Sequence, residues 1–189
     1  MTRIGIILGS TRPQRNGGAV AEWVHDIAVR RGDAEYELVD IAELALPLLD
    51  EPIPPLAGMY QQPHTLAWAE RIAALDGFVF VTPEYNHSVP GALKNAIDYL
   101  FAEWNDKAAG FVGYGPVGAV RAVEHLRLVM AELQVATVRA QVALTFDTDF
   151  VDRSEFRPSA EKAELVGSVL DQVVAWSEAL APVRRKAAS

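Results

Sequence analysis

The chain has 189 residues, of which 50% are hydrophobic and 22% charged, and its formal net charge is -8 at pH 7. This length and balance suit one globular domain with a substantial core. The acidity argues against broad binding to nucleic acid or anionic membranes, since both reward clustered lysine and arginine. Cysteine is absent, which excludes disulfides, thiolate catalysis and cysteine metal sites.

Buried strands and amphipathic helices alternate from the N-terminus. The first apolar run, "RIGIILG" (Arg3–Gly9), is too short for a signal peptide or a membrane span. It is typical of a strand buried on both faces. Because the N-terminus shows neither a signal peptide nor a membrane span, we expect a cytoplasmic protein. Apolar residues at helical spacing follow between residues 20 and 28, and "YELVDI" (Tyr36–Ile41) is a second strand. The Leu- and Pro-rich segment Ala42–His64 is predicted to be a long loop that is functional or forms an interface, after which Thr65 can cap a helix.

The same alternation continues to the C-terminus. The third and fourth strands are "GFVFVT" (Gly77–Thr82) and "AAGFVGY" (Ala108–Tyr114), and residues 135–146 contain the fifth. A polar loop, Asp147–Pro158, leads to a last helix and a basic tail, residues 181–189, which we expect to fray. Alternating strands and helices imply a parallel sheet with right-handed crossovers. The whole chain is therefore predicted to be a single doubly wound, three-layer domain.

Ligands of such a sandwich bind beyond the carboxyl ends of the strands. Three unusual segments lie at that edge, after strands one, three and four. They are the first loop (Gly9–Gly17), the second loop (Pro83–Gly91) and the third loop (Gly113–Ala119). A single ligand can contact all three.

The first loop, "GSTRPQRNG", concentrates hydrogen-bond donors and positive charge in an acidic chain. Its polar side chains are hydroxyls, an amide and two guanidinium groups: Ser10, Thr11, Asn16, Arg12 and Arg15. Together with the N–H groups that open the next helix, they suit a phosphate. The alternative is a capped turn with solvated arginines. The loop lacks the lysine of a P-loop and the glycine spacing of the usual dinucleotide fingerprint.

The other two loops are individually ambiguous. The second loop, "PEYNHSVPG", has a backbone stiffened by proline at both ends, which suits a planar heteroaromatic ring. It also fits an ordinary turn before a helix, with Pro90 at the first helical position. The third loop, "GYGPVGA", has glycines that permit positive φ or close approach to a ligand, or that simply separate a strand from a helix.

Taken together, the loops resemble a known family. "GSTRPQRN", "TPEYN" followed by "PGALKNAIDYL", and "GYGPVG" are similar to segments of the NADPH-dependent FMN reductase family of flavodoxin-like proteins. The resemblance covers most of the chain, from Arg3 to Leu144, and the run from PEYN to LKNAID is its most specific part. It implies a flavodoxin-like three-layer α/β/α sandwich with a five-stranded parallel sheet in the order 2-1-3-4-5.

The resemblance also implies a cofactor and a reaction. The cofactor is FMN, and NAD(P)H is the co-substrate whose hydride passes through FMN to a flavin, quinone, azo or metal-oxyanion acceptor. The oligomer is a homodimer or homotetramer. By the family pattern the first loop holds the phosphate, and the second and third loops border the isoalloxazine ring. The expected cofactor-binding residues are Ser10, Arg12, Arg15, Asn16, Gly17, Pro83, Glu84, Tyr85, Asn86, Tyr114, Gly115 and Gly118.

The flavin carries the chemistry, so no catalytic side chain is predicted. His87 can assist proton delivery to a quinone or can be an ordinary solvent-exposed histidine. No metal site is expected, because the histidines lack ligand spacing and "DTDFVD" lacks the glycine and glutamate of a calcium loop. A flavodoxin-type electron carrier, which binds FMN without NAD(P)H turnover, is the alternative; the arginines and sparse aromatic residues favour a reductase. A receiver domain would need an acidic pocket where Ser-Thr-Arg stands.

Overall fold

Five apolar runs pair side by side into one parallel sheet. In a computed structural model, which describes residues 1–187, these strands are β1 (Arg3–Leu8), β2 (Glu35–Asp40), β3 (Gly77–Pro83), β4 (Ala108–Gly115) and β5 (Ala136–Thr145). Their order across the sheet is β2-β1-β3-β4-β5, and each neighbouring pair is parallel. Every residue of β3 and β4 is buried, as expected of strands covered on both faces. The predicted strand order and orientation are confirmed.

Helices cover both faces of the sheet, and each face has its own apolar cluster. The helices are α1 (Gly17–Arg31), α2 (Ile41–Leu44), α3 (Pro63–Ala73), α4 (Gly91–Asp98), α5 (Val120–Glu132) and α6 (Ala160–Ala187). On one face, α3, α4 and α5 pack on a cluster that includes the aromatic side chains of Trp68, Phe78, Phe80, Trp104 and Phe111. On the other face, α1 and α6 pack on a mainly aliphatic cluster. This is the expected three-layer sandwich. Within residues 1–187, none of the helices combines the length and apolarity needed to cross a membrane.

The long segment between β2 and α3 is more ordered than the sequence suggests. It contains the single turn α2 and a short 3-10 helix, Pro55–Ala57, within otherwise irregular chain. The prediction that Thr65 caps α3 is wrong, because the helix begins at Pro63 and Thr65 is buried inside its first turns. The Glu51 carboxylate lies at the start of α3 instead and accepts hydrogen bonds from the N–H groups of Gln61 and Gln62, both at 2.9 Å. A negative charge at a helix N-terminus is favourable.

Three smaller expectations also need correction. Pro90 is the N-cap of α4 and not its first residue. The polar loop after β5 folds into an antiparallel hairpin of β6 (Phe150–Val151) and β7 (Glu155–Phe156). The tail does not fray within the described residues: α6 continues to Ala187, and Arg184 donates to the Asp106 carbonyl oxygen at 3.0 Å. Residues 188 and 189 of the predicted tail lie outside the described part.

Lys107, immediately before β4, is a buried amine that contacts no carboxylate within residues 1–187. Its Nζ donates to the carbonyl oxygens of Ile72, at 2.7 Å, and Ala73, at 3.3 Å, which end α3. It also lies 5.6 Å from the centre of the Phe78 ring. Burial, with a further contribution from the positive charge of Arg184, lowers the pKa of Lys107 to about 7. The folded protein therefore releases this proton more readily than the unfolded chain.

The replacement Lys107→Met is expected to change how stability depends on pH. Between pH 7 and 10.5, the range from the folded pKa of Lys107 to its ordinary pKa, the unfolded wild type binds the additional proton. Its free energy of unfolding therefore rises with pH relative to the variant, by up to about 1.4 kcal/mol per pH unit. Urea unfolding at several pH values measures the slope. Lys94→Met, at a partly exposed amine that pairs with Asp98, is the control. Parallel curves for wild type and Lys107→Met would contradict the expectation.

Candidate functional site

The three loops meet at one edge of the sheet because their strands are neighbours. The strands β1, β3 and β4 are consecutive in the sheet and parallel, so the loops that follow them are consecutive along the carboxyl edge. From β1 the chain adds β2 on one side of the sheet and then β3, β4 and β5 on the other side. This change in strand order between β1 and β3 marks the position where doubly wound folds bind ligands. The sequence-predicted site residues therefore come together.

The first loop continues the sheet and then closes around a buried hydroxyl. The Gly9 N–H donates to the Val81 carbonyl oxygen at 2.9 Å, and a Cβ on Gly9 would lie 2.7 Å from Leu93 Cδ2. Ser10 is fully buried, and its Oγ is 2.9 Å from the hydroxyl of Tyr85 in the second loop. This hydrogen bond joins the two loops. The sequence gives no signal for it, because 75 residues separate the two side chains.

The two arginines of the first loop differ in their partners. Arg15 is partly buried, pairs with Asp40 at the end of β2, and donates to the Ser10 carbonyl oxygen. The charge of Arg15 is therefore neutralised within the protein, and its side chain links the first loop to the end of β2. The exposed Arg12 side chain has no hydrogen-bond or ion-pair partner within residues 1–187. Arg12 is the guanidinium that is available to a ligand.

The start of α1 is shaped by Asn16 and Gly17. Asn16 is the N-cap residue, but its side chain donates to the Arg153 carbonyl oxygen at 2.8 Å and does not cap the helix. The first turn carries no acidic side chain, so the partial positive charge of the helix N-terminus is not neutralised there. A Cβ on Gly17 would overlap the Tyr114 hydroxyl and lie 2.8 Å from Leu8 Cδ1. Gly17 is therefore required by the close approach of α1 to β4.

The second loop is held from α5 as well as from the first loop. Glu84 is almost fully buried, pairs with Arg121, and accepts from the Ala122 N–H at 3.3 Å. Burial alone would raise the pKa of Glu84, but these hydrogen bonds outweigh it, so the pKa lies below its usual value. The Glu84 side chain thus supports the loop from α5, and Arg121 is a supporting residue that sequence reasoning missed. A buried carboxylate needs a cation, but spacing alone does not show which one.

Pro83, Tyr85 and Asn86 belong to the second loop, in which Pro83 lies beside the third loop and Tyr85 contacts the first. Pro83 ends β3 and lies beside Tyr114 in the sheet register. Tyr85 is 37% exposed, which leaves part of an aromatic face open next to Ser10. Asn86 lies at the tip of a tight turn, with a positive φ of 49°. A stiff backbone beside an open aromatic ring fits a flat ligand, as the sequence predicted.

The third loop is compact and closely packed. Tyr114 is buried, which raises its pKa above the usual value, and it lies against Gly17 and Ser10. The Gly115 carbonyl oxygen accepts from the Gly118 N–H at 3.1 Å. Gly118 has φ 65°, and a Cβ there would lie 2.6 Å from Ala143 Cβ. Gly118 is therefore needed for backbone geometry and packing.

These groups fit a phosphorylated flavin. A phosphate requires several short donors with little steric bulk, and the first loop offers the Ser10 hydroxyl, helix N–H groups and the unpaired Arg12. Gly17, which has no side chain, lets the start of α1 lie directly against Tyr114 and Leu8. The stiff second loop and the third loop then border the space that a ring attached to the phosphate would occupy.

The chain is similar in sequence to known flavin and quinone reductases. The NADPH-dependent FMN reductase family model matches residues 2–149. A NAD(P)H-dependent FMN reductase of Schizosaccharomyces pombe is 37% identical over 169 residues, which are 88% of this chain and 84% of the relative. A quinone reductase of Escherichia coli K12 is 38% identical over 135 residues, 67% of this chain and 68% of its own.

The fold has close solved neighbours as well. FerB, a flavoenzyme NAD(P)H:(acceptor) oxidoreductase from Paracoccus denitrificans, superposes with a TM-score of 0.73 at 24% identity, covering 94% of this chain and 98% of FerB. At that identity the likeness establishes the flavodoxin-like architecture alone. The sequence matches go further, and they show that the chain belongs to the NADPH-dependent FMN reductase family.

Proposed function

We propose that this protein is an FMN-dependent NAD(P)H oxidoreductase whose acceptor is a quinone. One observation carries the proposal: the unpaired Arg12 lies in the same loop as the buried Ser10 hydroxyl, and Tyr85 joins that hydroxyl to the stiff second loop. A phosphate site is thereby linked directly to a site for a flat ring. The family membership supports the same cofactor.

Each loop has a separate task in this proposal. Ser10, Arg12 and the N–H groups of α1 bind the phosphate, while Arg15 and Asn16 hold the loop in shape. Pro83, Tyr85 and Asn86 border the isoalloxazine on one side, and Tyr114 and Gly115 on the other. Glu84, Gly17 and Gly118 act through loop geometry. FMN bound there supplies the hydride chemistry between NAD(P)H and the acceptor, and the protein orients the rings and tunes them by hydrogen bonds.

The choice of a quinone rests on the relatives and on access to the site. The Escherichia coli relative is named a quinone reductase. Tyr85 is the partly exposed aromatic side chain of the second loop, whereas Tyr114 of the third is buried, so one face of a bound ring is left open to an acceptor. A free flavin, an azo compound or a metal oxyanion would approach the same face. We place this activity in the cytoplasm, where NAD(P)H is produced.

Spectroscopy of the purified protein tests the proposal. We expect a yellow protein, or one that becomes yellow with added FMN, whose visible absorbance is bleached by NADPH and restored by a quinone. Sustained NADPH consumption with the quinone would distinguish an enzyme from an electron carrier. A protein that binds no FMN, or that binds it without NADPH oxidation, would contradict the proposal.

We also propose a homodimer, formed through the segment before α3. Leu48, Leu56 and Met59 are 85%, 71% and 56% exposed, yet the segment is fixed by Asn95, which donates to the Pro47 carbonyl oxygen at 2.7 Å. Apolar side chains on an ordered surface segment indicate a protein interface. A second such surface would extend the dimer to a tetramer.

The variant Leu48→Glu/Leu56→Glu is expected to be monomeric in light scattering. The free-energy cost of burying two carboxylates in the interface exceeds the stabilisation that the interface contributes. Val29→Glu is the control, since Val29 is 53% exposed on α1, which packs on the opposite face of the sheet. An unchanged mass for the double variant would show that the interface lies elsewhere.

A further inference from the structure

The second loop reverses direction in a two-residue turn. The Tyr85 N–H donates to the Ser88 carbonyl oxygen at 2.9 Å, and the Ser88 N–H donates back to Tyr85 at 3.1 Å. The two central residues, Asn86 and His87, have φ of 49° and 75°. Asparagine and histidine are among the residues other than glycine that enter the left-handed region most often, although glycine is the usual choice at the second position of such a turn. A histidine at this position is a reason to ask what its side chain does.

Both ends of the turn are anchored by side chains. Tyr85 is fixed at its hydroxyl by Ser10, at 2.9 Å. Ser88 is fixed at its hydroxyl by Nδ1 of His125 in α5, at 3.0 Å. The turn therefore has a defined position relative to both the first loop and α5. His125 acts here as a positioning residue.

The anchored turn presents a free imidazole at the rim of the proposed cofactor site. His87 is exposed, and its ring makes no hydrogen bond within residues 1–187. The centre of the ring is 6.0 Å from that of His125, and both residues are exposed. Asn86, beside it in the chain, is one of the residues that border the ring in the proposed function. His87 is therefore an exposed imidazole in the turn that adjoins the proposed ring site.

We propose that His87 is the proton donor to the acceptor. The inference rests on the proposed function, because it needs an FMN-bound site and a quinone acceptor. Reduction of a quinone to a hydroquinone requires one hydride and one proton. FMN, when bound, would supply the hydride chemistry between NAD(P)H and the quinone; the proton would leave a ring nitrogen of the His87 imidazolium and form an O–H bond at a quinone carbonyl oxygen. Water then returns a proton to the imidazole, so atoms and charge balance.

The variant His87→Asn tests this role, because asparagine tolerates the positive φ but cannot act as an acid. In stopped-flow experiments on the FMN-loaded protein, we expect reoxidation by benzoquinone to slow by about 100-fold, as for loss of a general acid. Reoxidation by ferricyanide, which accepts electrons without a proton, should keep its rate. Added imidazole should restore part of the quinone rate. His25→Asn, on α1, is the control and should behave like wild type.

A binding measurement provides a readout that does not depend on turnover. In the oxidised, FMN-loaded protein with labelled histidine rings, added hydroquinone should shift the NMR signals of His87 and leave those of His25 unchanged. The inference is overturned if these signals do not move, or if His87→Asn keeps its quinone rate or loses the ferricyanide rate equally. A wild-type protein that binds no FMN, or does not oxidise NADPH, would instead refute the proposed function, so the two failures are distinct.

Discussion

Gly17→Ala is expected to weaken FMN binding while the protein still folds. The added methyl group would overlap the Tyr114 hydroxyl and lie 2.8 Å from Leu8 Cδ1, and both side chains are buried and cannot swing away freely. Either α1 moves outward or Tyr114 is displaced toward Ser10. Overpacking of this kind costs about 1–3 kcal/mol of stability. The same displacement moves the phosphate donors, and we expect an FMN affinity at least about tenfold weaker, equivalent to 1.4 kcal/mol.

The neighbouring residue supplies a matched control. A Cβ on Gly18 meets nothing within 4 Å, although Gly18 lies in the same first turn of α1. Gly18→Ala should therefore keep its flavin and gain up to about 1 kcal/mol of stability, because alanine is the better helix former. Fluorescence titration with FMN and thermal unfolding measure both effects. Equal affinities for the two variants would show that the approach of α1 to β4 does not shape the site.

Arg12→Ala is expected to weaken FMN binding by about 10- to 100-fold. Because Arg12 makes no ion pair within residues 1–187, its loss leaves no unpaired protein charge and removes only a charge-assisted hydrogen bond to the ligand. Such a bond contributes about 1.5–3 kcal/mol. The dissociation constant from fluorescence quenching measures the change, and the effect should diminish at high salt.

A control variant and a control ligand separate the loss of the phosphate contact from a general loss of positive charge. Arg139→Ala removes the same charge from an exposed position on β5 and should leave FMN affinity unchanged. Binding of riboflavin, which has no phosphate, should be equally weak in wild type and Arg12→Ala. If Arg12→Ala retains FMN as tightly as wild type, the first loop does not bind the phosphate through this residue.

The sheet was predictable because its pattern is local. In β3 and β4 every residue is buried, and each is a short, continuous apolar run, which is the pattern of a strand covered on both faces. The meeting of the three loops follows from the parallel order, since Ser10, Pro83 and Tyr114 all lie at carboxyl ends of neighbouring strands. The alternation of strands and helices therefore predicts the edge of the sheet at which the ligand site lies.

The partners within the site were not predictable, because they come from distant parts of the chain. Arg15 and Arg12 look equivalent in the sequence, yet only Arg15 is neutralised, by Asp40 at the end of β2. Thr65 looked like a helix cap, but the carboxylate that accepts from the N–H groups at the start of α3 belongs to Glu51, which is 11 residues away from Gln62. Tertiary packing decides which donor pairs with which acceptor. The local spacing of residues in the sequence does not predict these pairs.

The hydrogen bond between Ser10 and Tyr85 makes the two halves of the site thermodynamically interdependent. An anion that orients the Ser10 hydroxyl would also fix the position of the Tyr85 ring. The entropy cost of ordering Tyr85 would then be met before the isoalloxazine ring binds. The intact nucleotide then binds more tightly than the sum of its separated fragments, and selection against a dephosphorylated flavin arises from cooperativity as well as from the missing charge.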